Sequence, residues 1–429
     1  MKVLVVGSGG REHAICWKFA KSSKIEKVYC APGNGGISQV AEIVDISVDD
    51  FNRLADFVKA NDIDFTFVGP EAPLSLGIVD YFEERGLRII GPSKIAARLE
   101  SSKMYSKEFM YKYGIPTVQY NSFSSVDSVL KFLVNLNADK KIVVKADGLA
   151  AGKGVYICSG RDREGVVSVV KQMMEEKVLG EAGTNIIIEE YIDGPEFSYL
   201  VFTDGETYSV MPVSQDHKRV NDNDKGSNTG GMGAYAPTPL ATEKLNKKVE
   251  DIIIRKVING IKAEKFDYKG ILYVGIIMDG SSPYVLEFNC RFGDPEAQTV
   301  LSLLDTDFVD ICEAILDKNL ANLKINWKKI FSVCVVLASR GYPRSFKKGF
   351  EIRGLENIRD KDTMVFHAGT KLEGKKIVTS GGRVLNVVSI ASDIKSATDK
   401  VYSSVSMIKF ESVHYRKDIA RKVLNENKS

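Results

Sequence analysis

Along the first hundred residues, short stretches with the hydrophobic pattern of strands alternate with longer stretches that have the hydrophobic spacing of helices. Short apolar runs between turn-forming residues predict strands, and apolar positions spaced three and four apart predict helices. The predicted strands are 2–6, 27–30, 40–46, 65–68 and 88–90, and the predicted helices are 11–20, 51–60 and 76–84. Because strands and helices alternate, this part of the chain predicts an open parallel α/β sheet. Its loops should gather at the carboxyl edge of the sheet, where such folds bind ligands.

The rest of the chain predicts further domains of mixed α/β and α+β class. Strands are predicted at 141–145, 185–188, 197–202 and 208–213, followed by a long amphipathic helix that spans 245–261. Apolar runs at 271–278 and 284–288 flank the turn sequence DGSSP and predict a β-hairpin. Strands at 331–338, 363–367 and 383–390 and one further helix predict a small α+β domain. We therefore expect domains at 1–102, 103–325 and 326–429.

The second strand of the hairpin carries a carboxylate and an amide on one face. Glu287 and Asn289 are two residues apart, and alternate side chains of a strand point to the same side. A charge there is costly unless it is paired, so the face should line a polar cleft. Oxygen ligands of this kind suit Mg²⁺, whereas an ion pair between Glu287 and Arg291 explains the strand equally well. Asp294 and Pro295 then predict the start of a helix, with Asp294 as its N-cap.

Composition and charge exclude several classes of function. The net charge of +3 over 429 residues gives no support to nucleic-acid binding, which normally needs a strong basic bias. No apolar run approaches the length of a membrane span, and the first residues do not read as a signal peptide. The six cysteines contain no CxxC pair, so we expect reduced thiols in a cytoplasmic protein. The four histidines are too dispersed to indicate a zinc site.

Two glycine-rich turns follow the first two predicted strands. The first, GSGG at 7–10, is similar to a dinucleotide fingerprint, but Glu12 stands where the third glycine belongs. The acid that would bind ribose about twenty residues later is also missing, so nicotinamide binding remains only a minor alternative. A glycine turn at the N-terminus of a helix still favours an anion such as phosphate.

The loop that follows Lys145 is a second phosphate candidate. Residues 148–154 read GLAAGKG, and such small residues allow backbone N–H groups to approach phosphate oxygens closely. The spacing of Gly148, Gly152 and Lys153 does not match a Walker A loop. The alternative is an ordinary hairpin loop with solvated lysines, but two lysines beside so many glycines favour phosphate.

Residues 215–237 are rich in glycine and almost devoid of aliphatic side chains. This composition predicts a long loop without secondary structure, which in a compact chain is usually functional or disordered. His217, Lys218 and Arg219 cluster at its start. A flexible basic loop fits an anionic substrate, and a disordered linker is the alternative.

The assembled motifs resemble the ATP-grasp ligases, and within them the phosphoribosylamine–glycine ligase (glycinamide ribonucleotide synthetase) family. The resemblance runs essentially from end to end. The matching motifs are VVGSGGREHA at 5–14, PGNGG at 32–36, VGPEAPL at 68–74, VVKADGLAAGKGV at 143–155, IEEYIDGPEFS at 188–198, QDHKR at 215–219, NTGGMGAYAP at 228–237, LEFNCRFGDPE at 286–296 and SGGRVL at 380–385. It implies an ATP-grasp fold between a Rossmann-like N-terminal domain and a small C-terminal domain, with residues 120–190 as a mobile lid.

The resemblance also implies a reaction and roles for individual residues. ATP would phosphorylate the carboxylate of glycine, and the amine of 5-phosphoribosylamine would then attack the acyl phosphate in an early step of purine synthesis. The implied metal ligands for Mg²⁺ or Mn²⁺ are Glu287 and Asn289, and the implied catalytic residues are Lys145, Arg291 and Asp294. The implied ATP-binding residues are Lys103, Lys145, Gly152, Lys153, Gly154, Glu189, Glu190, Ile192 and Glu196. The implied substrate-binding residues are Gly9, Gly10, Gly35, Gly36, Asp216, His217, Lys218, Arg219 and Arg291.

The expected partners are therefore small molecules: glycine, phosphoribosylamine and ATP. We also expect a monomer or weak dimer, with a transient hand-off from the enzyme that makes phosphoribosylamine. A non-catalytic ATP-binding protein of the same fold should have lost the metal pair or the 215–237 segment, and both are present. A carboxylase or another amino-acid ligase of the same fold is the nearest rival, and the end-to-end motif match argues against it.

Overall fold

The computed structural model describes residues 1–426 with the exception of residues 138 and 151. Its N-terminal part is the parallel α/β sheet that the alternating pattern predicts. The strands are β1 (Lys2–Gly7), β2 (Lys27–Pro32), β3 (Glu42–Ile43), β4 (Phe65–Val68) and β5 (Ile89–Pro92). The helices are α1 (Gly10–Phe19), α2 (Phe51–Ala60), α3 (Glu71–Leu76), α4 (Ile78–Glu83) and α5 (Arg98–Ser101). All neighbouring strands of this group pair in parallel. Only the strand predicted at 40–46 is much shorter than expected.

A second layer forms its own small antiparallel sheet. Helix α6 (Lys103–Lys112) packs on the central core and leads into this layer. The layer contains β6 (Tyr120–Phe123), α7 (Val126–Val134), β7 (Lys141–Ala146), β8 (Val155–Ser159), α8 (Arg163–Met174) and β9 (Ile186–Glu190). The strand order is β6-β9-β7-β8. Helices α7 and α8 cover one face through a separate apolar cluster that includes Val129, Leu133 and Val170. This independent core allows the layer to behave as a unit of its own.

The central part contains the hairpin that the sequence predicts. Its elements are β10 (Glu196–Thr203), β11 (Tyr208–Val210), β12 (Gln215–Asp216), β13 (Arg219–Asn221), β14 (Lys225–Asn228), β15 (Gly233–Ala236), α9 (Glu243–Val249), α10 (Arg255–Ala263), β16 (Tyr268–Asp279) and β17 (Ser282–Asn289). A π-helical turn, Glu250–Ile254, joins α9 to α10. Strand β16 pairs with both β10 and β5. The N-terminal sheet and the central sheet are therefore one continuous sheet, a joint that the sequence pattern did not predict.

The C-terminal part contains α11 (Glu296–Leu303), α12 (Phe308–Leu316), β18 (Phe331–Ser339), β19 (Thr363–His367), β20 (Thr370–Glu373), β21 (Lys376–Thr379), β22 (Arg383–Ala391), α13 (Ile394–Met407), β23 (Val413–His414) and α14 (Arg421–Glu426). Its main sheet has the order β12-β15-β18-β22-β19, with β23 beside β18. The segment 215–237 is thus not the structureless loop that its composition predicts. Backbone pairing of β15 with β18 orders it, although it offers few apolar side chains to a core.

Aromatic packing joins α1, α12 and the segment after β17 to the N-terminal sheet. Phe19 lies between Phe65 and Phe308, with ring centroids 5.7 and 4.8 Å away. Phe292 stacks on Phe67 at 6.3 Å. Each fully buried side chain of this size contributes about 2 kcal/mol from apolar burial. This packing fixes the segment after β17, including Arg291, against the loops of the N-terminal sheet.

Within the described part of the chain, no helix is both long and apolar enough to cross a membrane.

Candidate active site

The hairpin β16–β17 presents Glu287 and Asn289 toward a polar cleft. The two side chains are partly exposed, whereas Phe288 between them is buried on the opposite face. The Nζ atom of Lys218 lies 4.0 Å from Glu287 Oε1 and 3.0 Å from Glu196 Oε2. Arg291 forms no ion pair with Glu287, because its carboxylate partners are Glu71 and Glu100. Of the two interpretations of this strand, the pairing with Arg291 is therefore wrong.

Electrostatics keep Glu287 ionised. Burial works to raise the pKa of its carboxyl group, but the positive charges of Lys218, Lys103, Lys145 and Arg291 outweigh burial and lower the pKa to about 2. Burial likewise works to lower the pKa of Lys218, but Glu196 and Asp216 dominate and raise it. An anionic carboxylate therefore faces a cationic wall at neutral pH, as phosphoryl transfer requires.

Arg291 lies beside the metal pair but is anchored by other carboxylates. Its Nη2 atom is 2.6 Å from Glu100 Oε1 and donates to Asn289 Oδ1 at 3.0 Å. Its Nε atom is 3.3 Å from Glu71 Oε2 but lacks the alignment of a hydrogen bond. Burial works to raise the pKa of Glu71, and the charges of Arg291 and Arg11 lower it to about 2. The guanidinium is thus fixed in place with one buried N–H unused.

Two buried lysines hold Glu189 at the other wall of the cleft. Lys145 Nζ lies 2.5 Å from Glu189 Oε2, and Lys107 Nζ lies 2.8 Å from Glu189 Oε1. Burial lowers the pKa of Lys107 to about 8, against the attraction of Glu189 and with added repulsion from Lys145. A narrow crevice bordered by Lys103, Lys107, Glu189 and Glu287 joins this group to the hairpin. Of the four, Lys107 was not predicted from the sequence.

The glycine loop after β7 reaches the 215–237 segment. Gly152 has a φ angle of +76°, and a Cβ atom there would lie 3.4 Å from Thr229 O. Glycine is favoured by that backbone conformation. At the start of the loop, Asp147 Oδ1 accepts hydrogen bonds from Ser102 Oγ and Met104 N, which places Lys103 beside it. Residue 151 lies outside the described residues. Glu190 lies outside the cleft, exposed and paired with Lys140 at 2.7 Å.

The two glycine turns of the N-terminal sheet face the C-terminal part. A Cβ atom on Gly10 would lie 2.1 Å from Asn386 Nδ2, and one on Gly36 would lie 2.2 Å from the His367 ring. The Gly9 N–H already donates to Glu12 Oε2 at 2.5 Å. Glu12 therefore folds back under the turn, which leaves fewer free N–H groups for phosphate than the sequence predicts. It also occupies space that a dinucleotide would need.

Asp294 does not cap α11, contrary to the prediction. The residue before the helix is Pro295, and no side chain caps it. The carboxylate of Asp294 instead lies 3.1 Å from Arg383 Nη2 and accepts a hydrogen bond from Gln298 at 2.7 Å. Arg383 also donates to Gly230 O at 2.8 Å. Asp294 thus joins the metal-bearing segment to the C-terminal part.

The basic cluster at 217–219 does not act as one patch. His217 is buried, its ring centroid is 6.0 Å from that of Tyr235, and burial lowers its pKa to about 4. Arg219 donates to Gly226 O at 2.9 Å within its own hairpin. Only Lys218 reaches the cleft, and the burial of His217 argues against direct contact with a substrate phosphate. Burial also raises the pKa of Asp216 to about 7, with Glu296, Glu196 and Glu287 adding to the effect and Lys218 opposing it.

The structure adds residues that sequence reasoning missed. Glu71, Glu100 and Lys107 come from α3, α5 and α6, far from the hairpin in the chain. Glu71 lies in the VGPEAPL motif, from which no role followed, and no local pattern marks Glu100 or Lys107. Arg383 did carry a signal, because it lies in the SGGRVL motif, but no role followed from that motif.

Among the described residues, no group of three or more His, Cys, Asp and Glu side chains could hold a metal ion. Glu287 and Asn289 nevertheless fit a hard cation that takes its other ligands from phosphate and water. The carboxylate is ionised and accessible, and the amide oxygen has a second lone pair beyond the one used by Arg291.

Comparison with known proteins gives consistent results over the whole chain. Family models for phosphoribosylglycinamide synthetase match residues 1–100 (N domain), 101–297 (ATP-grasp domain) and 332–422 (C domain). The phosphoribosylamine–glycine ligase of Caldanaerobacter subterraneus is 49% identical over 420 residues, which cover 98% of this chain and 99% of that protein. The crystal structure of the Thermotoga maritima enzyme of the same name has a TM-score of 0.84 at 32% identity and covers 98% of this chain and 100% of its own.

A more distant similarity concerns the fold alone. The biotin carboxylase domain of the Hydrogenobacter thermophilus 2-oxoglutarate carboxylase superposes with a TM-score of 0.73 at 17% identity, over 96% of this chain and 91% of that one.

Proposed function

The chain belongs to the phosphoribosylglycinamide synthetase family and ligates glycine to 5-phosphoribosylamine at the expense of ATP, and we propose that the cleft at Glu287 carries the reaction. The observation that supports this location is the ionised Glu287 carboxylate facing Lys218, with Lys103 and Lys145 adding positive charge. Phosphoryl transfer depends mostly on positioning and charge neutralisation, and this cleft supplies both.

Glu287 and Asn289 would hold Mg²⁺ or Mn²⁺. When bound, such an ion supplies charge neutralisation between the terminal phosphates of ATP. Glu196 and Lys218 form an ion pair beside these ligands at 3.0 Å. Lys218 would neutralise a phosphate oxygen, and Glu196 would bind the ribose.

The nucleotide would lie along the crevice between the hairpin and the small antiparallel sheet. Lys103 borders it, Lys145 adds positive charge from behind Glu189, and the loop 148–154, with Gly152, Lys153 and Gly154, would close over the phosphates. Glu189 and the backbone at Ile192 would read the adenine. Glu189 is held by two lysines, so its carboxylate is already oriented before the nucleotide arrives.

The reaction requires two transfers at one carboxylate. The γ-phosphoryl group of ATP passes to a glycine carboxylate oxygen, which gives glycyl phosphate and ADP. The phosphoribosylamine nitrogen then attacks the acyl carbon, the C–O bond breaks, phosphate leaves and the nitrogen loses a proton. Arg291, anchored by Glu100 and Glu71 beside Asn289, would bind the glycine carboxylate or the acyl phosphate with its guanidinium. Water must be excluded from the acyl phosphate, so residues 120–190 would act as a lid over the cleft.

Phosphoribosylamine would bind where the glycine turns Gly9–Gly10 and Gly35–Gly36 meet the C-terminal part. The positive end of α1 would favour its phosphate through the N–H groups that Glu12 does not occupy. Asp294 lies at the junction of this region and the metal-bearing segment, where it can orient the attacking amine. Asp216, whose pKa burial raises to about 7, would lie beside Lys218 and Glu287 on the phosphate side of the cleft.

Measurement of phosphate release tests the assignment. Purified protein with ATP and Mg²⁺ should release phosphate only when glycine and phosphoribosylamine are both present. Turnover with bicarbonate or D-alanine in place of glycine would instead indicate a carboxylase or another amino-acid ligase.

A further inference from the structure

A buried arginine ties the C-terminal segment to the hairpin β13–β14, which follows Lys218 directly. The Arg416 side chain is fully buried, and its Nη1 atom donates to Arg219 O at 3.1 Å and to Asp224 Oδ1 at 2.8 Å. Asp418 fixes the opposite edge of the same guanidinium, accepting from Nε at 2.8 Å and from Nη2 at 2.7 Å. Such a two-sided arrangement uses the planar fork that lysine lacks.

Neighbours of Arg416 hold the rest of the hairpin. These contacts are His414 Nε2 with Val220 O at 2.7 Å, Lys417 N to Asp222 Oδ1 at 2.8 Å, and Asn223 N to Asp418 Oδ2 at 2.8 Å. The hairpin itself is short and has only two residue pairs in its ladder. An isolated hairpin of this size is marginal in water. Its conformation therefore depends on the C-terminal segment.

The tip of the hairpin is also strained. Asn223 and Asp224 have φ angles of 57° and 52°, in the left-handed region that residues other than glycine adopt rarely. Such conformations persist only where surrounding contacts hold them. Asp224 is held by Arg416, and the Asn223 N–H is held by Asp418.

We propose that Arg416 is a positioning residue for the ligase reaction, which acts by fixing the backbone next to Lys218 so that the Lys218 ammonium faces Glu287. The carbonyl that Arg416 binds belongs to Arg219, one residue from Lys218. On the other side of Lys218, the His217 N–H donates to Gly233 O at 2.8 Å, so both flanks of Lys218 are anchored. This inference rests on the proposed function, because Lys218 matters only if Glu287 serves phosphoryl transfer.

The test combines a conservative substitution with a double-mutant cycle. Arg416→Lys keeps the charge and loses the fork, and we expect kcat to fall about 30-fold with the KM for ATP nearly unchanged, since small misplacements cost up to about 100-fold. In the Lys218→Met background, adding Arg416→Lys should change the single-turnover rate by less than about twofold. Arg353→Lys is the matched control, because Arg353 forms an exposed ion pair with Glu351 in the same C-terminal part. That control should retain full activity.

Two further measurements keep the outcome decisive. Asp224→Asn removes the negative charge that the hairpin presents to Arg416 but leaves Arg416 paired with Asp418, and it should lower kcat in the same direction. Amide exchange over residues 219–225 should accelerate in both variants while exchange in β18 stays slow. An unchanged kcat in Arg416→Lys would overturn the inference. So would an equally large fall in the single-turnover rate when Arg416→Lys is added to the Lys218→Met background. Wild-type protein without turnover on glycine and phosphoribosylamine would contradict the proposed function instead.

Discussion

Lys218 lies 4.0 Å from the carboxylate of Glu287, although Glu287 is on the central sheet and Lys218 is in the short link that follows a strand of the C-terminal sheet. Glu287 is on β17 of the continuous central sheet, and Lys218 lies between β12 of the C-terminal sheet and β13. The cleft therefore exists only where the two sheets meet. This relationship makes the activity sensitive to contacts on both sheets.

Substitution of Glu287 tests the metal pair. Glu287→Gln keeps the size of the side chain and removes the charge, so turnover should fall at least about 100-fold, as expected when one charge-stabilising group is lost. The variant should remain folded, because Glu287 is partly exposed and its nearest cation, Lys218, keeps Glu196 as a partner. Mn²⁺ titration of the ATP-loaded protein, followed by electron paramagnetic resonance, should show weaker binding than in wild type. Near-normal turnover would remove Glu287 from the metal site.

Lys107 and Lys112 offer a matched pair on helix α6. Lys107→Met should lower the free energy of unfolding by about 3 kcal/mol, because it leaves one side of the buried Glu189 carboxylate unpaired. Lys112→Met breaks an ion pair with Glu264 of which the lysine is exposed, and little change is expected. Urea unfolding monitored by circular dichroism compares the two variants. Equal losses in the free energy of unfolding would contradict the importance of the buried group formed by Glu189, Lys107 and Lys145.

Substitutions of Gly152 and Gly180, both in the small antiparallel layer, distinguish an effect of backbone strain from an effect on ATP binding. Both have positive φ angles, so alanine at either position should cost about 1 kcal/mol of stability. Gly152 faces Thr229 across the cleft, whereas nothing lies within 4 Å of a Cβ atom on Gly180. Gly152→Ala should therefore raise the KM for ATP several-fold, and Gly180→Ala should leave it unchanged. Identical KM values for the two variants would argue against closure of the 148–154 loop over the phosphates.

Two buried histidines, His13 on α1 and His367 on β19, should make the free energy of unfolding depend on pH. Burial, with a smaller effect from His367, lowers the pKa of His13 to about 3, and burial lowers that of His367 to about 4. The unfolded chain binds these protons near the ordinary value of 6.5, so stability is full above that pH and declines as pH falls toward 4. His13→Gln should flatten this decline in urea unfolding between pH 7 and pH 4.5. A wild-type stability that is constant over this range would contradict the prediction.

Local patterns predicted most of the secondary structure. The parallel strands β1, β2 and β4 and the hairpin β16–β17 follow from short apolar runs and strong turn sequences. The failures share a cause. Residues 215–237 form strands because β15 pairs with β18, and Asp294 forms an ion pair with Arg383 instead of capping α11. Partners distant in the chain decided both outcomes, and such partners leave no periodic trace in a single sequence.

The amino-acid sequence alone determined the family, the reaction and the neighbouring positions of Glu287 and Asn289, since strand periodicity places those two residues on one face. Only the tertiary structure decided which charges meet at that face. It paired Glu287 with Lys218 and not with Arg291, surrounded Glu189 with Lys107 and Lys145, and placed Arg416 behind the Lys218 segment. The physical reason is that Coulomb attraction and burial depend on distance in space, whereas sequence patterns record only distance along the chain.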